Sequence, residues 1–75
     1  MRKEMFETMA AEGFERVVKA EYGFVAMAEA EVTYHEMTTK AYEIKDPVEF
    51  KKAMTFCEDY KRIAEKIAEK KYEKI

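Results

Sequence analysis

Four residues near the middle of the chain, Asp46-Pro47-Val48-Glu49, constrain the fold more than any other feature. An aspartate carboxylate accepts hydrogen bonds from the free N–H groups at a helix start, which makes Asp46 a good N-cap. Proline suits the first helical position, where its missing donor costs nothing. Glu49 at the third position completes a capping-box-like pattern. Proline also disfavours helix in the residue before it. One helix therefore ends near Ile44 and another begins at Pro47.

Downstream of Pro47 the apolar residues Phe50, Ala53, Met54, Phe56, Cys57, Tyr60, Ile63, Ala64, Ile67 and Ala68 recur at spacings of three and four. That is the period of one face of an amphipathic helix, predicted to run to about Lys74. Upstream, one seam reads Phe6, Ala10, Gly13, Val17, Ala20, Phe24, Met27, Glu31, Tyr34, Thr38 and Ala41. A second reads Ala11, Phe14, Val18, Glu21, Val25, Ala28, Val32, His35, Thr39 and Tyr42. Both alternate threes and fours through Gly13 and Gly23, and a helix break would normally reset such a phase.

The expected architecture is all-α: a long antiparallel hairpin of helices at about 3–44 and 47–74, with its turn at Lys45-Asp46. Residues 1–75 form one helical domain, since a chain of 75 residues is near the lower limit for folding alone. The alternative is a three-helix bundle broken near Gly23. In the hairpin, facing residues have numbers summing to about 91, so Tyr42 faces Phe50 and Tyr60 faces Glu31. Such a hairpin overhangs at its N-terminal end and leaves one seam uncovered. Both consequences predict self-association, most simply a two-fold dimer forming a four-helix bundle, with a tetramer as the next choice. Phe6, Ala10, Gly13, Val17, Ala20, Phe24, Met27 and Tyr34 are the expected hairpin or dimer seam.

Composition narrows the function. Apolar residues make up 48% and charged ones 40%, too apolar for a disordered chain. Two glycines and one proline are too few for an all-β fold rich in tight turns. No Leu, Asn, Gln, Ser or Trp occurs, and abundant Glu and Lys without amides is a thermophile-like bias. One cysteine cannot form an internal disulfide, which fits a reducing, cytoplasmic setting. Arg2 and Lys3 are followed by Glu4 and Glu7 rather than an apolar run, unlike a secretory signal. The longest apolar stretch, Phe24 to Ala28, is far too short to span a membrane.

Glu31 and His35 interrupt the apolar seams and, one turn apart, share a helix face. With Cys57 and Tyr60 expected opposite, they form a polar layer that fixes register, the plainer reading. Doubled about a two-fold axis, Glu31 and His35 become two carboxylates and two imidazoles, a set from which helical bundles build metal sites. A divalent metal is thus the one cofactor the residues suggest. The Glu-x-x-His spacing of ferritin-like bundles fails here, because Val32 stands three residues before His35. No HExxH or Gly-rich phosphate loop is present, and without serine a Ser–His–Asp triad is impossible. Catalysis is therefore not expected.

Glu21 should pair with Lys70 or Lys71. Lys61, Arg62, Lys66, Lys70, Lys71 and Lys74 form a basic stripe, but Glu65, Glu69 and Glu73 run beside it. Interleaved charge of this kind marks a solvated face more than a phosphate-binding one. With a net charge of −2, nucleic acid is a weak third reading. The leading expectation is a small interaction or assembly protein acting as a homo-oligomer, presenting a surface to itself or to a protein partner. A metal- or ligand-binding bundle built on Glu31 and His35 is the runner-up.

Overall fold

The computed structural model describes residues 2–73, which form three helices and no strand. Helix α1 spans Lys3–Lys19, α2 Gly23–Ala41 and α3 Pro47–Glu73. The chain takes the three-helix alternative, and the single long first helix does not form. The expected end of α3 near Lys74 lies outside the described residues.

The cap at Asp46 is as expected. Its Oδ1 accepts from the N–H of Val48 at 2.8 Å and of Glu49 at 3.2 Å, and its carbonyl accepts from Phe50 at 2.8 Å. Helix α3 is 27 residues long, about 40 Å at 1.5 Å per residue, and it sets the long dimension of a 44 × 16 × 14 Å body. Helix α2 returns antiparallel along it. The Tyr42 and Phe50 rings meet at 5.6 Å beside the connection, and the Lys61 ammonium stands 4.8 Å from the centre of the Tyr34 ring. Helix α1 runs parallel to α3, with Phe6 edge-on to Phe56 at 6.4 Å and Phe14 against Tyr60 at 4.7 Å.

The break falls at Ala20–Tyr22, where Ala20 (ψ 132°) and Tyr22 (φ −117°, ψ 147°) are extended. Neither glycine has positive φ, so Gly23 does not terminate α1 in a left-handed turn. It opens α2 instead. The Tyr72 ring lies so close to its Cα that an added Cβ would stand 2.7 Å from the ring. The carbonyls freed at the end of α1 are satisfied from α3. Lys71 Nζ donates to Val18 O at 2.7 Å and Ala20 O at 2.6 Å, placing a cation at the negative end of the helix dipole. Lys71 thus serves α1's backbone rather than the side chain of Glu21, which is exposed.

The break moves the buried stripe by one residue. Phe6, Ala10, Gly13 and Val17 are buried as expected, but α2 buries Gly23, Ala26, Ala30, Thr33, Met37 and Ala41. Phe24 is exposed and Met27 and Tyr34 are half-buried, while Thr38 is buried beside Met37. The antiparallel register shifts too, so that Thr33, not Glu31, lies level with Tyr60.

Twelve apolar side chains form the core, and seven of them are alanine: Ala10, Ala26, Ala30, Ala41, Ala53, Ala64 and Ala68. Small side chains let helix backbones approach closely, but each buries little apolar area. The large side chains that would thicken the core are outside. Val18, Tyr22, Phe24, Val32, Tyr42 and Val48 are each more than half exposed. Among the described residues no helix is long and apolar enough to cross a membrane.

Candidate functional surface on the second helix

The expected polar layer divides in two. Cys57 and Tyr60 face the core, at 0% and 2% exposure, whereas Glu31 and His35 lie on the solvent side of α2. The cause is the one-residue change of phase at Ala20–Tyr22, which turns Ala30 and Thr33 inward and carries Glu31 and His35 out. His35 and Cys57 therefore cannot act as a pair. Burial pushes the Cys57 thiol up to about 11, so it stays protonated and unreactive at neutral pH. The unfolded thiol ionises near ~8.5. As pH rises past that value the unfolded chain releases its proton first, so stability falls above about pH 9. Tyr60, also raised by burial, adds to the loss in the same direction. We expect a thiol-specific reagent at pH 8 to label Cys57 only at the rate of unfolding, and Cys57→Ala to flatten the alkaline limb of a pH–stability curve. Immediate stoichiometric labelling of the native chain would contradict the buried placement.

A second polar group, which the seams did not reveal, lies where the three helices meet. Arg16 Nη2 donates to Thr33 Oγ1 at 2.9 Å. The same guanidinium stands 3.6 Å from Glu29 and 3.9 Å from Glu36. Tyr60 Oη packs against Gly13 and beside Thr33. Thr33 tempers the rise in the Tyr60 pKa, but the phenol oxygen meets no partner at hydrogen-bonding geometry. A cleft of about 110 Å³ between Met9, Glu12, Arg16, Thr33 and Glu36 opens beside this group. Two carboxylates already compensate the one cation, so the cleft is not built for an anion. The sequence signal for it was present in Gly13 itself, a glycine at a buried seam position.

The basic stripe on α3 is engaged within the fold at several points. Lys61 covers Tyr34, Lys71 caps α1, and Arg62 stands 3.7 Å from Asp59. The groove along Tyr34, Lys61, Arg62 and Lys66 is also lined by Glu58, Glu65 and Glu69. Lys74 lies outside the described residues. A shallow groove of about 390 Å³ at the end of the bundle, between Met5, Phe6 and Ile44, is rimmed by Arg2, Lys40 and Glu43. Lys40 and Glu43 stand 3.8 Å apart there.

The most unusual surface is the outer face of α2. Along it, Phe24, Val25, Ala28, Glu31, Val32, His35 and Thr39 are all exposed. Phe24 is 63% exposed and Val32 52%, and Phe24 stacks on Tyr22 with ring centres 5.8 Å apart and planes 15° from parallel. A helix packed on one side against a bundle normally turns charged residues to water. This one keeps apolar residues on both sides. Glu31 and His35 are the two ionisable residues on the outer stripe, one turn apart. Among the described residues, no group of three or more His, Cys, Asp or Glu side chains is placed to hold a metal ion within one chain. No family model, curated protein or solved structure matches the chain.

Proposed function

We propose that this chain is a helical interaction module that works as a homo-oligomer, with the outer face of α2 as the surface on which two copies meet. The observation that carries the reading is that α2 is apolar on both faces while the bundle covers only one. Contiguous exposed apolar side chains on a soluble fold mark places where another surface packs. The alanine-rich core supports it as well, since a small domain with a thin core gains stability by association. A single buried thiol fits a reducing, cytoplasmic setting.

Sedimentation velocity of the untagged chain tests the reading. The chain should sediment as a dimer, and Phe24→Glu with Val32→Lys should give a monomer with an unchanged helical circular dichroism spectrum. Both positions are exposed, so the fold itself should tolerate the changes. A wild-type chain that stays monomeric up to millimolar concentration, with divalent metal present as well as without it, would overturn the proposal.

A further inference from the structure

We infer that Glu31 and His35 are half of a divalent transition-metal site, which a second copy of the chain completes with its own Glu31 and His35. The inference rests on the α2 dimer proposed above and names what holds it together. Four observations carry it.

First, Glu31 and His35 are four residues apart in an unbroken stretch of α2, so they project from one face about one turn apart. Both are exposed, and neither makes a hydrogen bond or ion pair through its side chain among the described residues.

Second, the donor set is chemically apt. A neutral imidazole nitrogen and a carboxylate oxygen are zinc ligands, and structural zinc sites are closed by four ligands in a tetrahedron. One chain supplies two. Two chains supply four.

Third, the pair sits near the middle of the face it would organise. The exposed stripe of α2 runs from Phe24 to Thr39, and Glu31 and His35 lie inside it, on either side of residue 33. Antiparallel pairing about a two-fold axis level with residue 33 lays the outer stripes of the two copies against each other. It sets Glu31 level with the partner's His35. Apolar residues then flank the four ligands on both sides.

Fourth, the face is small. From Phe24 to Thr39 it is about 23 Å long and, at a helix diameter of ~10–12 Å, its footprint is roughly 250 Å². Standard stable interfaces bury about 800 Å² per partner. Apolar contact along one helix leaves a shortfall that a metal–ligand cluster across the axis would cover, and this makes dimerisation conditional on the ion.

The test is sedimentation velocity and metal analysis of the untagged chain, first stripped with EDTA and then titrated with Zn²⁺. The expected result is a monomer in EDTA, a dimer with zinc, and one zinc bound per two chains. His35→Ala and Glu31→Gln should each abolish the zinc-induced dimer without loss of helicity, whereas Glu21→Gln should leave it intact. A dimer that persists in EDTA and in His35→Ala would overturn the metal site while leaving the α2 interface standing. Zinc bound one per chain without association would overturn the shared site. A monomer under every condition would overturn the metal site and the interface together.

Discussion

Replacing Gly13 by alanine is expected to destabilise the fold by about 2 kcal/mol, although the same change in an exposed helix stabilises by roughly 0.5–1 kcal/mol. The sign reverses because of what lies against the Gly13 Cα. An added Cβ would collide with the Tyr60 hydroxyl and stand 2.5 Å from Thr33 Cγ2. Tyr60 is 2% exposed and Thr33 1%, so neither can swing away into solvent. Forcing one methyl into a closed core typically costs about 1–3 kcal/mol. In a domain of this size a net loss of ~2 kcal/mol lowers the melting temperature by roughly 8–16 °C. Tyr60→Phe supplies the second arm of the experiment. It removes an oxygen that is buried without a hydrogen-bond partner, and an unsatisfied buried hydroxyl is a liability of ~1 kcal/mol or more. Alone, Tyr60→Phe should be neutral or stabilising. In the Gly13→Ala background it should recover at least ~1 kcal/mol, a coupling that urea denaturation of the four proteins of the cycle would measure. A Gly13→Ala chain as stable as the parent would mean that α1 does not approach α2 and α3 this closely.

The all-α class, the cap at Asp46-Pro47 and the face of α3 were legible in the sequence, because each rests on a local physical signal. A carboxylate before a proline starts a helix whatever its surroundings, and α3 carries a sharp apolar stripe with charges opposite. The break between α1 and α2 was harder to read, for a reason found in α2 itself. Residues 24–28 are Phe-Val-Ala-Met-Ala, apolar at every position, so a seam advancing by threes and fours finds an apolar residue whether or not it has slipped by one. Continuity of the seam was therefore no evidence for continuity of the helix. The true stripe runs through Ala26, Ala30 and Thr33, smaller residues than Met27, Glu31 and Tyr34 beside them. Close helix packing selects the small side chains for the inside, and a reading weighted towards large apolar residues selects the wrong face. Gly13 marks a close approach to Tyr60 and no break, whereas Gly23 marks both a close approach to Tyr72 and the break, which falls immediately before it. The same slip explains why Glu31 and His35 lie outside while Cys57 and Tyr60, read from the well-patterned α3, lie inside.

Phe6→Ala is expected to be the most damaging single truncation, at about 3–5 kcal/mol. Phe6 is the largest fully buried side chain of the core. It sits near the start of α1, edge-on to the half-buried Phe56 at 6.4 Å with the rings 65° apart. Seven of the other eleven buried apolar residues of the core are alanines, which have no rotamers with which to fill the space a lost ring would leave. A site that cannot collapse keeps its cavity, and the cost lies at the high end of the range for such changes. Domains of this length have a total stability of roughly 4–11 kcal/mol, so the truncated chain should be close to half unfolded at the lower end. The damage should also be local at first. The far end of α1 remains tied by Lys71 to the carbonyls of Val18 and Ala20 and by Arg16 to Thr33, whereas the end near Phe6 has no side-chain N-cap. Hydrogen exchange should therefore show protection lost first over the first half of α1, before α2 and α3 respond. Phe24→Ala is the matched control: the same truncation at a 63% exposed position should change the stability of the isolated bundle by no more than about 0.5 kcal/mol. Equal losses at Phe6 and Phe24 would mean that the two rings have similar surroundings, and that the buried stripe of α1 does not run through Phe6.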